Sequence, residues 1–283
     1  MNSKGLLGEM VAEIFGTFIL VLLGVGVVAN VGLAPRMGSP AAFNWLTINI
    51  GWCFAVVVAV YTVARVSGAH LNPAVTLAMA VKRGFPWAKV VPFWVAQLIG
   101  AFIGALGVYL VYRDGLLAAG LPNVFTTGPG STFAQTYWGA DATRQAIGSY
   151  SLLTATIAEI LGTAVLLWGI LGAFDNKNLG VGANLGPLFV GFAVLAVGAS
   201  LGGASGYAIN PARDLAPRVF AALIGSKDVF DAGLYWLVAP VIGPLVGGLV
   251  GVFTYDLFVT AYLPSEQPAP AATHAAQPAA ATA

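Results

Sequence analysis

An all-α membrane fold, with six spanning helices and two short half-helices, follows from three observations. Only 8% of the 283 residues are charged and 58% are hydrophobic, whereas a soluble domain carries about 25% charged residues. The hydrophobic residues fall in long uncharged runs at 14–35, 45–64, 90–112, 160–174, 178–212 and 232–255, and a spanning helix needs roughly 20 of them. The chain is also written twice, with three spans in each copy. An odd number of spans sends the second copy into the membrane from the opposite face. The copies then form an inverted 3+3 repeat, a plan of transport proteins that places the pathway at the repeat interface.

Each element can be justified in order. The first run, 14–35, is too long for a signal peptide and no cleavage pattern follows it, so it is expected to be retained. EIFGTFILVL (13–22) opens it and returns as EILGTAVLLW (159–168) in the fourth span, which begins upstream of Glu159. The second run, 45–64, holds the single cysteine, Cys53, a small buried hydrophobe with no internal disulfide partner. SGAHLNPAVT (67–76) comes next and returns as SGYAINPARD (205–214). Asn is a favoured helix cap and Pro a favoured first helical residue, so each Asn-Pro-Ala starts a helix. The first such helix runs from Asn72 to about Val81, about 15 Å or half a membrane core. The second, Asn210 to about Leu223, is similarly short.

The third run, 90–112, carries Ala96, Gly100 and Gly104 at every fourth position. Its segment AQLIGAFIGAL (96–106) pairs with APVIGPLVGGL (239–249) in the sixth run, where Ala239, Gly243, Gly247 and Gly251 repeat the stripe. Such stripes let helix backbones approach closely. A turn-rich loop, 114–150, joins the copies, which cover about 8–113 and 151–258 of a single unit, 1–263. The remainder, 264–283, is an Ala/Pro-rich tail that holds His274 and lacks the means to form a core, so it is expected to be disordered. Lys4, Arg65, Lys82, Arg83, Lys89 and Lys177 fall on one side of the membrane and Arg36, Arg113, Arg144 and Lys227 on the other, a slight bias that puts the amino terminus inside.

The repeated Asn-Pro-Ala gains its meaning from the inversion. Two half-helices that enter from opposite faces meet with their amino termini near the midplane. The non-helical SGAHL and SGYAI before them are tolerated there only if they line a wet cavity or are buried in protein. Each Asn oxygen caps its own helix, which leaves an amide NH₂ to face a lumen. Two positive helix ends behind those donors repel a cation and leave a hydroxyl oxygen free to accept.

Glu13 and Glu159 hold matching places in the two copies. They either accept hydrogen bonds from the non-helical segments or form a proton relay, and no further acidic chain follows either one. His70 is either a pH gate or a satisfied histidine beside its loop. Two histidines and one cysteine make no metal site, no nucleophile stands beside a base, and a net charge of +1 carries no nucleic-acid footprint. No enzyme, cofactor or energy source is implied. The open choices are a passive pore and an ion-coupled secondary transporter.

At these residues the chain resembles the aquaporin family over about 8–258, and SGAHLNPAVT and GYAINPARD resemble its glycerol-facilitator branch. The resemblance implies an aquaporin-like homotetramer in the plasma or inner membrane, with one pore per subunit. It also implies a selectivity filter of Trp52, Gly198, Tyr207 and Arg213. Tyr207 departs from the Phe usual in glycerol facilitators. Asn72, Pro73, Ala74, Asn210, Pro211 and Ala212 would form the two central motifs. The carbonyls of Gly68, Ala69, His70, Gly206, Tyr207 and Ala208 would form an acceptor ladder. Asp214, typical of the glycerol branch along with Arg218 and Pro240, is expected to brace the filter loop, and its i, i+4 spacing to Arg218 suits a helix-surface pair. An arginine at such depth is functional by default, the alternative being an anchor for its half-helix. The implied solutes are glycerol, similar small neutral molecules and water. A water-selective pore, or one for urea, ammonia, metalloid hydroxides or lactic acid, is the neighbouring alternative.

Overall fold

The computed structural model describes residues 5–34, 44–130, 150–226 and 229–264. The tail from residue 265 with His274, the part 131–149 of the central loop, and Lys4, Arg36, Arg144 and Lys227 lie outside the described residues. Eight principal helices appear in chain order: α1 (Gly5–Leu33), α2 (Trp45–Ser67), α3 (Pro73–Lys82), α4 (Val90–Ala118), α5 (Leu152–Phe174), α6 (Gly186–Leu201), α7 (Pro211–Leu223) and α8 (Gly243–Phe258). A helical turn at Tyr235–Leu237 and a π-helical stretch at Val238–Ile242 lead into α8. Among the described residues six helical stretches are long and apolar enough to cross a membrane, and the 10-residue α3 and 13-residue α7 are not.

Local signals set the boundaries. Asn44 caps α2 by accepting from the Leu46 and Thr47 N–H groups, and its own N–H donates to the Thr47 hydroxyl. Gly68 ends α2 in the left-handed region at φ 87°, which costs a glycine little. Asn72 and Asn210 cap α3 and α7, each with Pro at the first helical position. The half-helices end at Lys82 and Leu223, close to the bounds that spacing predicts.

The packing has two-fold character. In one half α1 lies against α2 and α4, and in the other α5 lies against α6 and α8. The half-helices are exchanged: α7 packs on α4, and α3 on α8, while α2 and α6 meet across the interface. Each half therefore holds the re-entrant element of the other. Large apolar side chains such as Leu7, Val11, Phe15, Leu110, Val111, Phe253 and Leu257 face outward, the surface a lipid-immersed bundle presents.

The small-residue stripes bring backbones together, with one correction to their register. A Cβ at Gly100 would lie 2.3 Å from the Ile14 carbonyl oxygen, and one at Gly247 would lie 2.3 Å from the Ile160 carbonyl oxygen. Gly104 meets Val21 at 2.8 Å, and Gly251 meets Leu167 at 2.7 Å. Ile14 and Ile160, like Val21 and Leu167, are repeat partners, so Gly100 corresponds to Gly247 and not to Gly243, as the sequence pairing has it. A stripe that repeats every fourth residue matches itself again after one helical turn, which is why sequence alone slips by four.

Candidate functional site

The segments before each half-helix are non-helical in the same way. Gly68, Ala69 and Leu71 have positive φ (87°, 51° and 52°), as do Gly206, Tyr207 and Ile209 (90°, 39° and 43°). A non-glycine residue pays for that conformation in sterics and keeps it only where its surroundings fix it. Two buried carboxylates supply the fixing. Glu13 accepts from the backbone N–H groups of His70 (3.0 Å) and Leu71 (2.7 Å), from the Ser67 hydroxyl (2.6 Å) and from the Gln97 amide (2.7 Å). Glu159 accepts from the N–H groups of Ala208 (2.8 Å) and Ile209 (2.6 Å). With N–H groups held by the carboxylates, the loops present other backbone to a cavity of about 1090 Å³. Gly68, Ala69, His70, Tyr207 and Ala208 line it, and Leu71 and Ile209 join them. Gly206 is not among the lining residues; its N–H donates to the Gly202 carbonyl at 2.7 Å.

Asn72 and Asn210 stand where the two helix starts meet, and both line the cavity, whereas Pro73, Ala74, Pro211 and Ala212 do not. The Asn72 oxygen accepts from the Ala74 N–H (2.8 Å), and the Asn210 oxygen accepts from those of Ala212 (3.0 Å) and Arg213 (3.2 Å). The amide groups cross over. Asn72 Nδ2 donates to the Ile209 carbonyl at 2.8 Å, and Asn210 Nδ2 donates to the Leu71 carbonyl at 2.8 Å. Each NH₂ is thus half committed to the opposite loop, where sequence suggests it is wholly free. One N–H per amide remains for a passing oxygen.

Trp52, Tyr207 and Arg213 line the same cavity. The Arg213 guanidinium lies 4.2 Å from the centroid of the Trp52 ring, a cation–π arrangement. Arg213 Nη1, Trp52 Nε1 and the Tyr207 hydroxyl are buried without a hydrogen-bond partner in the protein. Three glycines make room for these rings. A Cβ at Gly24 would come within 2.2 Å of the Trp52 ring, one at Gly198 within 2.7 Å of Tyr207 Cζ, and one at Gly202 within 2.6 Å of Tyr207 Cδ1. Gly198 is not itself among the lining residues; it backs the Tyr207 ring. Trp45 meets the same ring edge-on at 5.6 Å.

Asp214 faces away from the cavity. It accepts from the Thr127 N–H (2.8 Å), the Thr127 hydroxyl (2.6 Å) and Arg218 Nε (2.8 Å). Arg218 also donates to the carbonyls of Thr127 (2.8 Å) and Val229. Tyr235 adds bonds to the Ser205 carbonyl (2.6 Å) and the Thr127 hydroxyl (2.9 Å). The Asp214–Arg218 pair is therefore buried and ties the segment around Thr127 to the start of α7; it is not a helix-surface pair. His70 contacts Thr76 (3.2 Å) and the rings of Phe85 and Phe93 (4.6 and 5.4 Å). Among the described residues no cluster of metal-ligating side chains occurs.

Sequence patterns point to the paired Asn and Glu residues. They give no sign of Gly24, Gly202, Trp45, Thr127 or Gln97, whose parts depend on contacts between helices.

Comparison with known proteins bears on the family and the fold. The chain is 41% identical to glycerol uptake facilitator protein 3 of Lactiplantibacillus plantarum, over 88% of this chain and 96% of that protein. It is 39% identical to human aquaporin-9, over 93% of this chain and 86% of that one. The X-ray structure of the aquaglyceroporin from Plasmodium falciparum superposes with a TM-score of 0.79 at 29% identity, covering 92% of this chain and 99% of that one. The family model described as major intrinsic protein matches residues 1–255, which takes in both Asn-Pro-Ala half-helices, the first five spans and most of the sixth, so the chain belongs to the major intrinsic protein family.

Proposed function

We propose that this protein is a passive channel for glycerol, similar small uncharged solutes and water, and that it excludes ions and protons. The observation that carries the reading is Arg213, which lies over the Trp52 ring at 4.2 Å with Nη1 uncommitted. A donor-bearing cation beside an aromatic face suits a solute with one hydroxyl side and one carbon side, and repels cations. The filter is then Trp52, Gly198, Tyr207 and Arg213. The two Asn amides at the centre and the loop carbonyls of Gly68, Ala69, His70 and Ala208 continue the path. Relatives named as glycerol facilitators support the same solute class. In this reading the protein is a homotetramer in the plasma or inner membrane, has one pore per subunit, and is not an enzyme.

Glu13 and Glu159 bear on the rival transporter. Both are engaged by loop N–H donors, which favours scaffolding over a proton relay.

Stopped-flow light scattering on proteoliposomes tests the reading. Glycerol and water should both enter much faster than in empty liposomes, and glycerol flux should rise linearly with its gradient. Fast water without glycerol would reduce the protein to a water channel closed by Tyr207. Gly198→His should cut glycerol far more than water, because its Cβ alone would press within 2.7 Å of Tyr207 Cζ. Equal suppression of both fluxes would reject the filter.

A further inference from the structure

Gly198 leaves a gap in the wall of the proposed filter, and a side chain from another helix fills it. An ideal Cβ at Gly198 would fall 2.2 Å from Asn49 Oδ1 and 2.7 Å from Tyr207 Cζ. Asn49 thus occupies the space that a side chain at position 198 would take. It belongs to α2, three residues before Trp52, and residues three and four apart share one helix face. Trp52, Val56 and Val60 on that face line the cavity, and Asn49 stands one turn before Trp52, behind the lining residues.

Asn49 is 1% exposed, and neither its Oδ1 nor its Nδ2 has a hydrogen-bond partner in the protein. The neighbouring Tyr207 hydroxyl has none either. Buried polar groups in native proteins are nearly always satisfied, and a Cβ built at Gly198 would touch both Asn49 Oδ1 and the Tyr207 ring carbon that bears the hydroxyl, so these unpartnered groups mark a place for a hydrogen-bonding group. A water-sized oxygen with two or three polar partners is a stable occupant of such a place.

We infer that Asn49 is a further specificity-determining residue. Its amide and the Tyr207 hydroxyl form a polar recess behind Gly198 that takes one hydroxyl-type oxygen. That oxygen belongs either to the permeating solute or to a water the solute touches. The recess would give the filter a second polar wall besides Arg213, and a polyol would be gripped by two of its hydroxyl groups. The inference rests on the filter assignment proposed above.

The test compares permeability to water, glycerol, erythritol and urea in proteoliposomes of wild type, Asn49→Leu, Asn49→Ser, Tyr207→Phe and Asn49→Leu/Tyr207→Phe. Monodispersity in detergent checks folding. Asn49→Leu and Tyr207→Phe should each lower the glycerol-to-water ratio about three- to tenfold, the scale of one hydrogen bond. Erythritol should fall further. Asn49→Ser should recover part of the loss, and the double variant should be no worse than the worse single variant, because both partners serve one oxygen. Loss of the polyols with urea unchanged assigns the recess to a solute hydroxyl, and a parallel fall in urea assigns it to resident water. If Asn49→Leu and Asn49→Ser both keep the wild-type ratios while Tyr207→Phe shifts them, Asn49 has no part in selection. Equal loss of all fluxes in the Asn49 variants would make it only structural. If wild type itself fails to conduct glycerol, the parent reading fails first, and that outcome is separate from either of these.

Discussion

At the residue scale the cavity depends on a few buried acceptors that hold strained backbone. Glu159 is the sole side chain seen bonding both the Ala208 and Ile209 N–H groups among the described residues. Glu159→Leu would leave two buried donors unpaired, at about 1–3 kcal/mol each. The variant should lower the apparent melting temperature of purified protein well below that of Glu159→Gln, which keeps one acceptor oxygen. An unchanged transition in the Leu variant would mean that the loop is held some other way. Arg213 works on solutes. Arg213→Ala removes the cation opposite Trp52 and should raise proton leak in dye-loaded proteoliposomes while water flux persists. These pairs are visible in sequence because Glu13 and Glu159, like the two Asn residues, recur at matching places and carry local capping chemistry. Asn49 and Gly24 carry no such signal, since their neighbours lie on other helices.

At the element scale the helices interlock through backbone contact. Gly247 faces the Ile160 carbonyl oxygen so closely that a Cβ would sit 2.3 Å away, and a backbone atom cannot swing aside. Gly247→Ala should destabilise by about 1–3 kcal/mol, the usual cost of overpacking. Gly26→Ala is the control, since a methyl group added there would meet nothing within 4 Å. Similar melting of the two variants would show that α5 and α8 can part cheaply. Both half-helices are legible from Asn-Pro starts and short length. The register that relates α4 to α8 is not, because stripes of period four look alike after a shift of one turn.

At the scale of the whole molecule the six spans and the inversion can be read from apolar runs and an odd count per copy. The exchange of half-helices between the halves cannot, because it is a tertiary choice that no local pattern encodes. Two positive helix ends meeting at the centre with Arg213 nearby predict a pathway hostile to cations. Glycerol flux should therefore be indifferent to an imposed proton or sodium gradient and to membrane potential, and should not saturate. Gradient-dependent, saturable uptake would point instead to a coupled carrier. The exchanged packing also bears on how the chain is made. Synthesis runs from the amino terminus, so α3 emerges well before α8, the helix against which it packs. The Leu71 carbonyl and the Asn72 amide likewise wait for partners that the ribosome has yet to deliver. A nascent chain halted after α4 lacks the helix against which most of α3 packs and both partners of its central carbonyl and amide.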